Sequence, residues 1–191
     1  MINVGVLGSG KSAINFIKAL NTFPNLKLVE IGSRNKFSAN KISKIYKSKI
    51  FIKSIDDVIY SKKNSLVIIC LPPFLQPKII EKLISTKKNI ICEKPLSVNY
   101  LDTKKIVSLW KKKKQIFLIN LCYNFFLPFN IFLNEIKSNK LQIKKIEISW
   151  RVLSNYSQFK GYWKNDNSLT GGVLFNYGSH LLNLFFPKKK N

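Results

Sequence analysis

Acidic residues are scarce in this chain of 191 residues: nine Asp and Glu stand against 33 Lys and Arg, a formal net charge of +24. Few carboxylates leave little to hold a magnesium ion after an apolar strand, which weighs against a nucleotide triphosphatase. Histidine is scarcer still, with His180 alone. Cysteine occurs at three positions, Cys70, Cys92 and Cys122, each in apolar surroundings and none in a C-x-x-C pair. That spacing excludes a zinc knuckle or a disulfide framework and reads as buried thiols in a reducing compartment. No metal site is expected. The first residues lack the basic-then-apolar pattern of a signal peptide, so a cytoplasmic protein is expected.

Long apolar runs are also missing. The uncharged stretch Gln115 to Asn134 follows the lysines 111–114 and approaches bilayer length, but Asn120, Asn124, Asn130 and Pro128 interrupt it. No membrane association is expected. The positive charge raises nucleic acid as a partner. Its lysines are scattered, as at Lys18, Lys27, Lys41, Lys53, Lys78 and Lys104, among abundant Ile, Asn and Phe. That mixture reads as a compositional bias, although the shortage of acids is not explained by it, and no nucleic-acid partner is expected.

What is present is alternation. Nearly continuous apolar runs predict buried parallel strands at Ile2–Leu7, Leu26–Ile31, Lys49–Ile52, Leu66–Leu71, Asn89–Cys92 and Ile116–Asn120. Helical patterns lie between them at Lys11–Leu20, Ser38–Tyr46, Pro77–Ser85 and Ser97–Lys112, the last with Ser97 as N-cap and Leu101, Val107 and Leu109 as apolar positions. The expected fold class is therefore α/β: a doubly wound parallel-sheet Rossmann domain over residues 1–120, followed by an incomplete α+β substrate domain over 121–191. In that second part a helix is expected at Pro128–Lys137, a strand at Leu141–Val152 from Ile143, Ile146, Ile148 and Trp150, and a helix at Leu174–Phe186.

Two phosphate-binding patterns overlap in VGVLGSGKSA, residues 4–13. Gly5, Gly10, Lys11 and Ser12 satisfy the P-loop; Gly8, Gly10 and Ala13 satisfy the dinucleotide fingerprint G-x-G-x-x-G/A. A P-loop would end the first strand at Gly5, after only three residues. The dinucleotide reading lets the strand run to Leu7, puts Gly8 at the tight turn, lets the pyrophosphate approach Gly10 and packs Ala13 against the sheet. It is the favoured reading, with Ser9, Lys11 and Ser12 near the phosphates. After the second strand come Ser33 and Arg34 instead of the acidic residue that takes ribose hydroxyls, so NADP is favoured as cofactor and NAD remains open. The alternative for Arg34 is an ordinary solvated turn residue.

These pieces resemble the glucose-fructose oxidoreductase, inositol dehydrogenase and MocA family, Gfo/Idh/MocA. The resemblance is carried by Gly8-Ser9-Gly10, by Leu71-Pro72-Pro73 after the fourth strand, by Cys92-Glu93-Lys94-Pro95-Leu96, similar to the family's E-K-P element, and by residues 171–180, similar to its G-G-x-L-x-[DN]-x-G-x-H segment. It implies a nicotinamide-dependent oxidoreductase acting on a sugar, cyclitol or related alcohol or carbonyl compound. Lys94 is implied as the cation that polarises the reacting oxygen, His180 as the base, and Asn176, one helical turn earlier, as a catalytic and substrate-orienting residue. The cofactor set implied is Gly8, Ser9, Gly10, Lys11, Ser12, Ser33, Arg34, Leu71, Pro72, Pro73, Glu93 and Lys94. Substrate contacts are implied for Tyr123, Trp163, Lys164 and Asn176.

The sequence departs from the family's pattern in several places. Asn176 and Asn183 stand where many relatives carry Asp, and Phe125 stands before Pro128 where an Arg is common. Members usually continue well past the G-x-H helix, so a truncated or split enzyme is expected, active only with a complementary C-terminal fragment or as a homo-oligomer that covers the predicted 141–152 strand and the apolar face of the last helix. The rival reading is a basic nucleic-acid-binding protein, or a dinucleotide sensor without catalysis.

Overall fold

The computed structural model describes residues 1–46, 49–139, 142, 144–145, 147–151, 163–169, 172 and 174–185. The chain divides into two compact units, Met1–Asn120 and Leu121–Asn191.

The first unit is a six-stranded parallel sheet in the order β3-β2-β1-β4-β5-β6. Its strands are β1 (Ile2–Leu7), β2 (Leu26–Gly32), β3 (Phe51–Lys53), β4 (Leu66–Ile69), β5 (Asn89–Cys92) and β6 (Phe117–Ile119). This is the doubly wound order 3-2-1-4-5-6, in which the chain reverses direction between β1 and β4 and opens a crevice at their carboxyl ends. Successive strand residues alternate faces, so each strand feeds two cores. Val4 and Val6 of β1 join Ala13, Ile17, Leu28, Ile31, Ala39 and Ile68 on one side. Leu7 joins Val58, Ile59, Val67, Ile69, Ile80, Leu83, Ile90 and Ile106 on the other.

The helices are α1 (Lys11–Leu20), α2 (Lys36–Ser43), α3 (Ile55–Tyr60), α4 (Gln76–Ile84) and α5 (Tyr100–Trp110). In α1 the buried positions Ala13, Ile17 and Leu20 recur at helical spacing. α2 begins two residues before the expected Ser38 because the Asn35 side chain caps it, accepting from the Ser38 N–H at 2.9 Å. α3 is absent from the sequence expectation. At six residues it is too short to show a period, but it carries a capping box: Ser54 accepts from the Asp57 N–H, and the Asp57 carboxylate takes the Ser54 N–H. For α5 the expected cap is corrected: Asn99, not Ser97, accepts the Asp102 N–H at 2.8 Å. The Ser97 hydroxyl lies 2.7 Å from that of Thr103. Ile106 supplies the buried position of α5, while Leu101, Val107 and Leu109 are exposed.

Glu30 is fully buried within this sheet. Its carboxylate accepts from Asn64 at 2.7 Å, Lys53 at 2.8 Å and the Ser61 hydroxyl at 2.9 Å. Burial pushes this carboxyl up, but the bonds from Lys53, Asn64 and Ser61 outweigh burial and hold it below the ordinary carboxylate value. Lys88, buried beside this group, donates to the Val58 and Ser61 carbonyls at 3.2 and 2.6 Å, and burial lowers its pKa while Glu30 opposes the shift.

The second unit contains a 3-10 turn at Cys122–Phe125, α6 (Leu127–Ser138), short 3-10 turns at Trp163–Asn165 and Asn167–Leu169, a π turn at Leu174–Gly178 and α7 (Ser179–Phe185). The expected strand at Leu141–Val152 is corrected as far as it is described: residues 142, 144–145 and 147–151 adopt no strand, while 141, 143, 146 and 152 lie outside the described residues. Alternating apolar residues define a face, but a strand also requires a hydrogen-bonded neighbour, and no sheet occurs among the described residues of this unit. The expected final helix opens as the wider π turn, and its end at Phe186 lies outside the described residues. Among the cysteines, Cys92 is buried and Cys70 half-buried; Cys122 is exposed, contrary to expectation, in the first turn after the sheet. No helix among the described residues is long and apolar enough to cross a membrane.

Candidate functional site

The choice between the two phosphate patterns rests on where the first strand ends. Gly5 lies inside β1, paired with Glu30 of β2 and Val67 of β4, so it cannot open a phosphate loop. A Cβ there would also come within 2.8 Å of Val58 Cγ1. Gly8 is the residue at which the chain turns. Its φ of +109° is open to glycine, and a Cβ would run into the Cys70 carbonyl at the end of β4. Gly10 is different: a Cβ on it would meet no protein atom within 4 Å. The first glycine is required by the protein's own packing, and the second leaves room for something else.

That room is a cleft of about 420 Å³ at the carboxyl ends of β1, β2 and β4. Of the expected cofactor residues, Gly8, Ser9, Gly10, Ser33, Arg34, Leu71 and Pro72 line it; Asn35, Ile55 and Cys70 complete the wall. Gly10 caps α1 without a side-chain hydrogen bond, and the helix has no acidic residue in its first turn. The opening N–H groups of α1 therefore present partial positive charge with no carboxylate to compete, a setting that suits a pyrophosphate. Lys11 is exposed and Ser12 half-buried in that first turn, and neither lines the cleft.

On the β2 side, the buried Ser33 hydroxyl lies 2.9 Å from that of Ser9 and accepts the Asn35 N–H at 3.1 Å. These bonds fix the turn from which the exposed Arg34 projects. Gly32 before it is tightly enclosed, since a Cβ would meet Leu7 Cδ2 at 2.8 Å. An adenosine ribose at this rim would therefore face hydroxyls and a guanidinium, with no carboxylate among the lining residues.

On the β4 side, Pro73 is buried behind Leu71 and Pro72 and does not line the cleft. Burial pushes the Cys70 thiol well above its ordinary value, and the Glu93 carboxylate and Cys92 add to the rise. Glu93 and Lys94 follow β5 directly and are half-buried. The Glu93 carboxylate accepts from Asn120 Nδ2 at 3.0 Å, and its N–H donates to the Ile69 carbonyl. The Lys94–Pro95 peptide is cis.

In the second unit, His180 is buried near the start of α7. Its ring meets Tyr123 edge-on, with centroids 4.6 Å apart. Tyr123 also packs against Trp150 at 5.1 Å, and Trp150 against Tyr177 at 5.3 Å. Burial raises the Tyr123 phenol, with smaller contributions from Cys122 and Tyr177. Asn176 lies in the π turn, four residues before His180, and its Nδ2 donates to the Gly172 carbonyl at 2.7 Å. Single π turns in helices are frequent at functional sites. Asn183 donates to the Asn124 side chain. Trp163 and Lys164 share a 3-10 turn, with the Lys164 ammonium 5.5 Å from the Trp163 ring centre. Gly171 of the glycine pair lies outside the described residues.

Sequence reasoning missed several residues that support the site: Asn35, Ile55, Cys70, Gln76 and Asn120. The Asn35 cap was legible as Asn three residues before Ser38. The others act across strands, where chain spacing carries no signal.

Residues 2–121 match the Gfo/Idh/MocA family model, described as an oxidoreductase family with an NAD-binding Rossmann fold. The chain is 25% identical over 185 residues to 2,7-anhydro-N-acetylneuraminate hydratase of Escherichia coli, covering 93% of this chain and 47% of that protein. Among solved structures, an oxidoreductase of Thermotoga maritima superimposes with a TM-score of 0.79 at 20% identity, over 96% of this chain and 58% of that one. Myo-inositol dehydrogenase of Lactobacillus casei, in complex with NAD(H) and myo-inositol, superimposes with a TM-score of 0.67 at 16% identity, over 72% of this chain and 42% of that one. The chain spans about half the length of the curated relatives it matches.

Proposed function

The chain belongs to the Gfo/Idh/MocA family of oxidoreductases with an NAD-binding Rossmann fold, and from that premise we propose that it is an NADP-preferring dehydrogenase or reductase of a sugar, cyclitol or related polyhydroxylated compound. The observation that carries the reading is the cradle at Gly10: a helix start with open N–H groups, no side-chain cap, and space that a Cβ would fill. Ser33 and Arg34 on the rim support a 2′-phosphate in place of a free ribose hydroxyl. By their names, two of the similar proteins act on a cyclitol and on an anhydro sugar acid, which supports a polyhydroxylated substrate.

Bound in this cleft, the nicotinamide would supply the hydride acceptor or donor. The chain's own residues then handle the oxygen. Lys94 donates a hydrogen bond from its ammonium to the reacting oxygen and stabilises negative charge as it develops there. His180 takes the hydroxyl proton in the oxidative direction and returns it in the reductive one. Asn176 orients the substrate, and Tyr123, Trp163 and Lys164 bound its site. The burial of His180 against the Tyr123 ring supports this role, because it limits the access of water to the imidazole.

Titration of the full chain with NADPH and NADH tests the cofactor claim. NADPH is expected to bind more tightly, and Arg34→Ala to remove most of the difference. Binding of neither cofactor refutes the reading. Screening sugars and cyclitols for NADPH-linked turnover tests the substrate class.

A further inference from the structure

Gln76 is the first residue of α4 and has no exposed surface. A carboxamide buried without partners is costly, so its bonds show what it is held for. Nε2 donates to the Leu71 carbonyl at 2.9 Å, and Oε1 accepts the Cys92 thiol proton at 2.7 Å. The amide cannot be reversed, because the Leu71 carbonyl requires a donor. Leu71 lines the nucleotide cleft, and Cys92 ends β5 two residues before Lys94. The turn between Leu71 and α4 also needs an outside tie. Pro72 and Pro73 have no N–H to offer, and the turn is otherwise fastened by Leu75 and Gln76 N–H groups bonding back to the Pro72 and Pro73 carbonyls.

We propose that Gln76 is a positioning residue: it fastens the Leu71–Pro72 wall of the cleft to the end of β5, and so sets where the nicotinamide half of the cofactor is held relative to Lys94. This rests on the dinucleotide reading above. The adenosine half has its own supports at Ser9, Ser33 and Arg34, on the opposite wall, and owes nothing to Gln76.

The test compares NADPH with 2′-phospho-ADP-ribose, which lacks only the nicotinamide, in equilibrium titrations of the full chain. Gln76→Met keeps the length and loses both bonds. It is expected to weaken NADPH about tenfold while changing 2′-phospho-ADP-ribose less than about twofold. Cys92→Ala leaves the bond to Leu71 and is expected to give a selective loss of about threefold, restored by Cys92→Ser, whose hydroxyl still donates. If Gln76→Met does not fold, the Cys92 pair decides alone. A merely structural role would move both ligands together. Equal weakening of both, or unchanged NADPH affinity, overturns the proposal. A wild-type chain that binds neither ligand overturns the dinucleotide reading itself, a result separable from selective failure in the variants.

Discussion

Up to Asn120, what is buried is mostly aliphatic: Val, Leu, Ile and Ala fill both faces of the sheet. From Leu121 onward, the single buried residue among those described is His180, while Phe125, Leu127 and Leu174 are 85%, 66% and 64% exposed. The two regions are ordered by different means. Each fully buried aliphatic side chain in the sheet contributes about 1.5–3 kcal/mol, and many do so together. Among the described residues of the second region, the buried imidazole packs edge-on against Tyr123, which packs in turn on Trp150, and Trp150 on Tyr177.

The sharpest way to break this contrast is to remove the ring. If His180 serves the reaction, His180→Ala lowers turnover by about 10²–10⁴ while NADPH affinity stays within about twofold, since the cleft lies wholly among residues of the first unit. Lys94→Ala is expected to lower turnover by a comparable factor. A His180→Ala chain with unaltered kcat returns the histidine to a structural role.

Gly8→Ala attacks the other region where its packing admits no slack. The new Cβ would meet the Cys70 carbonyl in a conformation with φ of +109°. A loss of about 3 kcal/mol in unfolding free energy is expected, with NADPH affinity falling about 100-fold. Gly10→Ala provides the contrast: it meets no protein atom, so stability is retained while the cofactor is blocked. Thermal melts and NADPH titrations of the two variants separate a glycine that packs from one that makes room.

How legible these features were in the sequence follows the same line. β1, β5 and α1 match their expected bounds, Ile2–Leu7, Asn89–Cys92 and Lys11–Leu20, because buried parallel strands are nearly pure apolar runs and α1 repeats at helical spacing. The fingerprint was legible because Gly8, Gly10 and Ala13 are close in the chain. Gln76, Asn120 and Glu30 were not, because their partners Cys92, Glu93 and Asn64 lie 16, 27 and 34 residues away in the chain and only the fold brings them together. The alternation at 141–152 gives no strand at its described positions, 142, 144–145 and 147–151, for the related reason that a strand depends on a partner that its own letters do not specify.

Glu30 offers a subtler test of the aliphatic region, as the carboxylate within it. Its pKa is held below the ordinary value by Lys53, Asn64 and Ser61 against the pull of burial. A depressed carboxyl contributes stability that is fully present above its unfolded value and disappears as pH falls through the lower folded value. Wild type should therefore lose more stability between about pH 7 and about pH 3 than Glu30→Gln, whose side chain does not titrate. At neutral pH the variant is expected to be less stable by about 2 kcal/mol, short of the ~3–5 for a fully buried pair because Lys53 is 30% exposed. Parallel pH slopes in the two proteins would remove Glu30 from the acid transition.

The smallest effect is expected at the helix that the sequence pattern left out. α3 has six residues and grips the core through the buried pair Val58 and Ile59 with the partly buried Ile55 beside them, and its first turn is held by the Ser54–Asp57 capping box. The Ser54 hydroxyl accepts from the Asp57 N–H at 3.1 Å, and the Asp57 carboxylate takes the Ser54 N–H at 3.3 Å. Ser54→Ala removes the first bond and is expected to cost about 1 kcal/mol. The reciprocal bond gives the prediction a second signature. Bonds from Ser54, chiefly, hold the Asp57 carboxyl below its ordinary value. The box therefore contributes above the usual Asp range and is lost as pH falls through the depressed value, so the stability gap between wild type and Ser54→Ala should narrow in acid. Melts of both proteins across that range measure it. A gap that stays constant would mean that the hydroxyl acts alone and that Asp57 adds nothing to the cap.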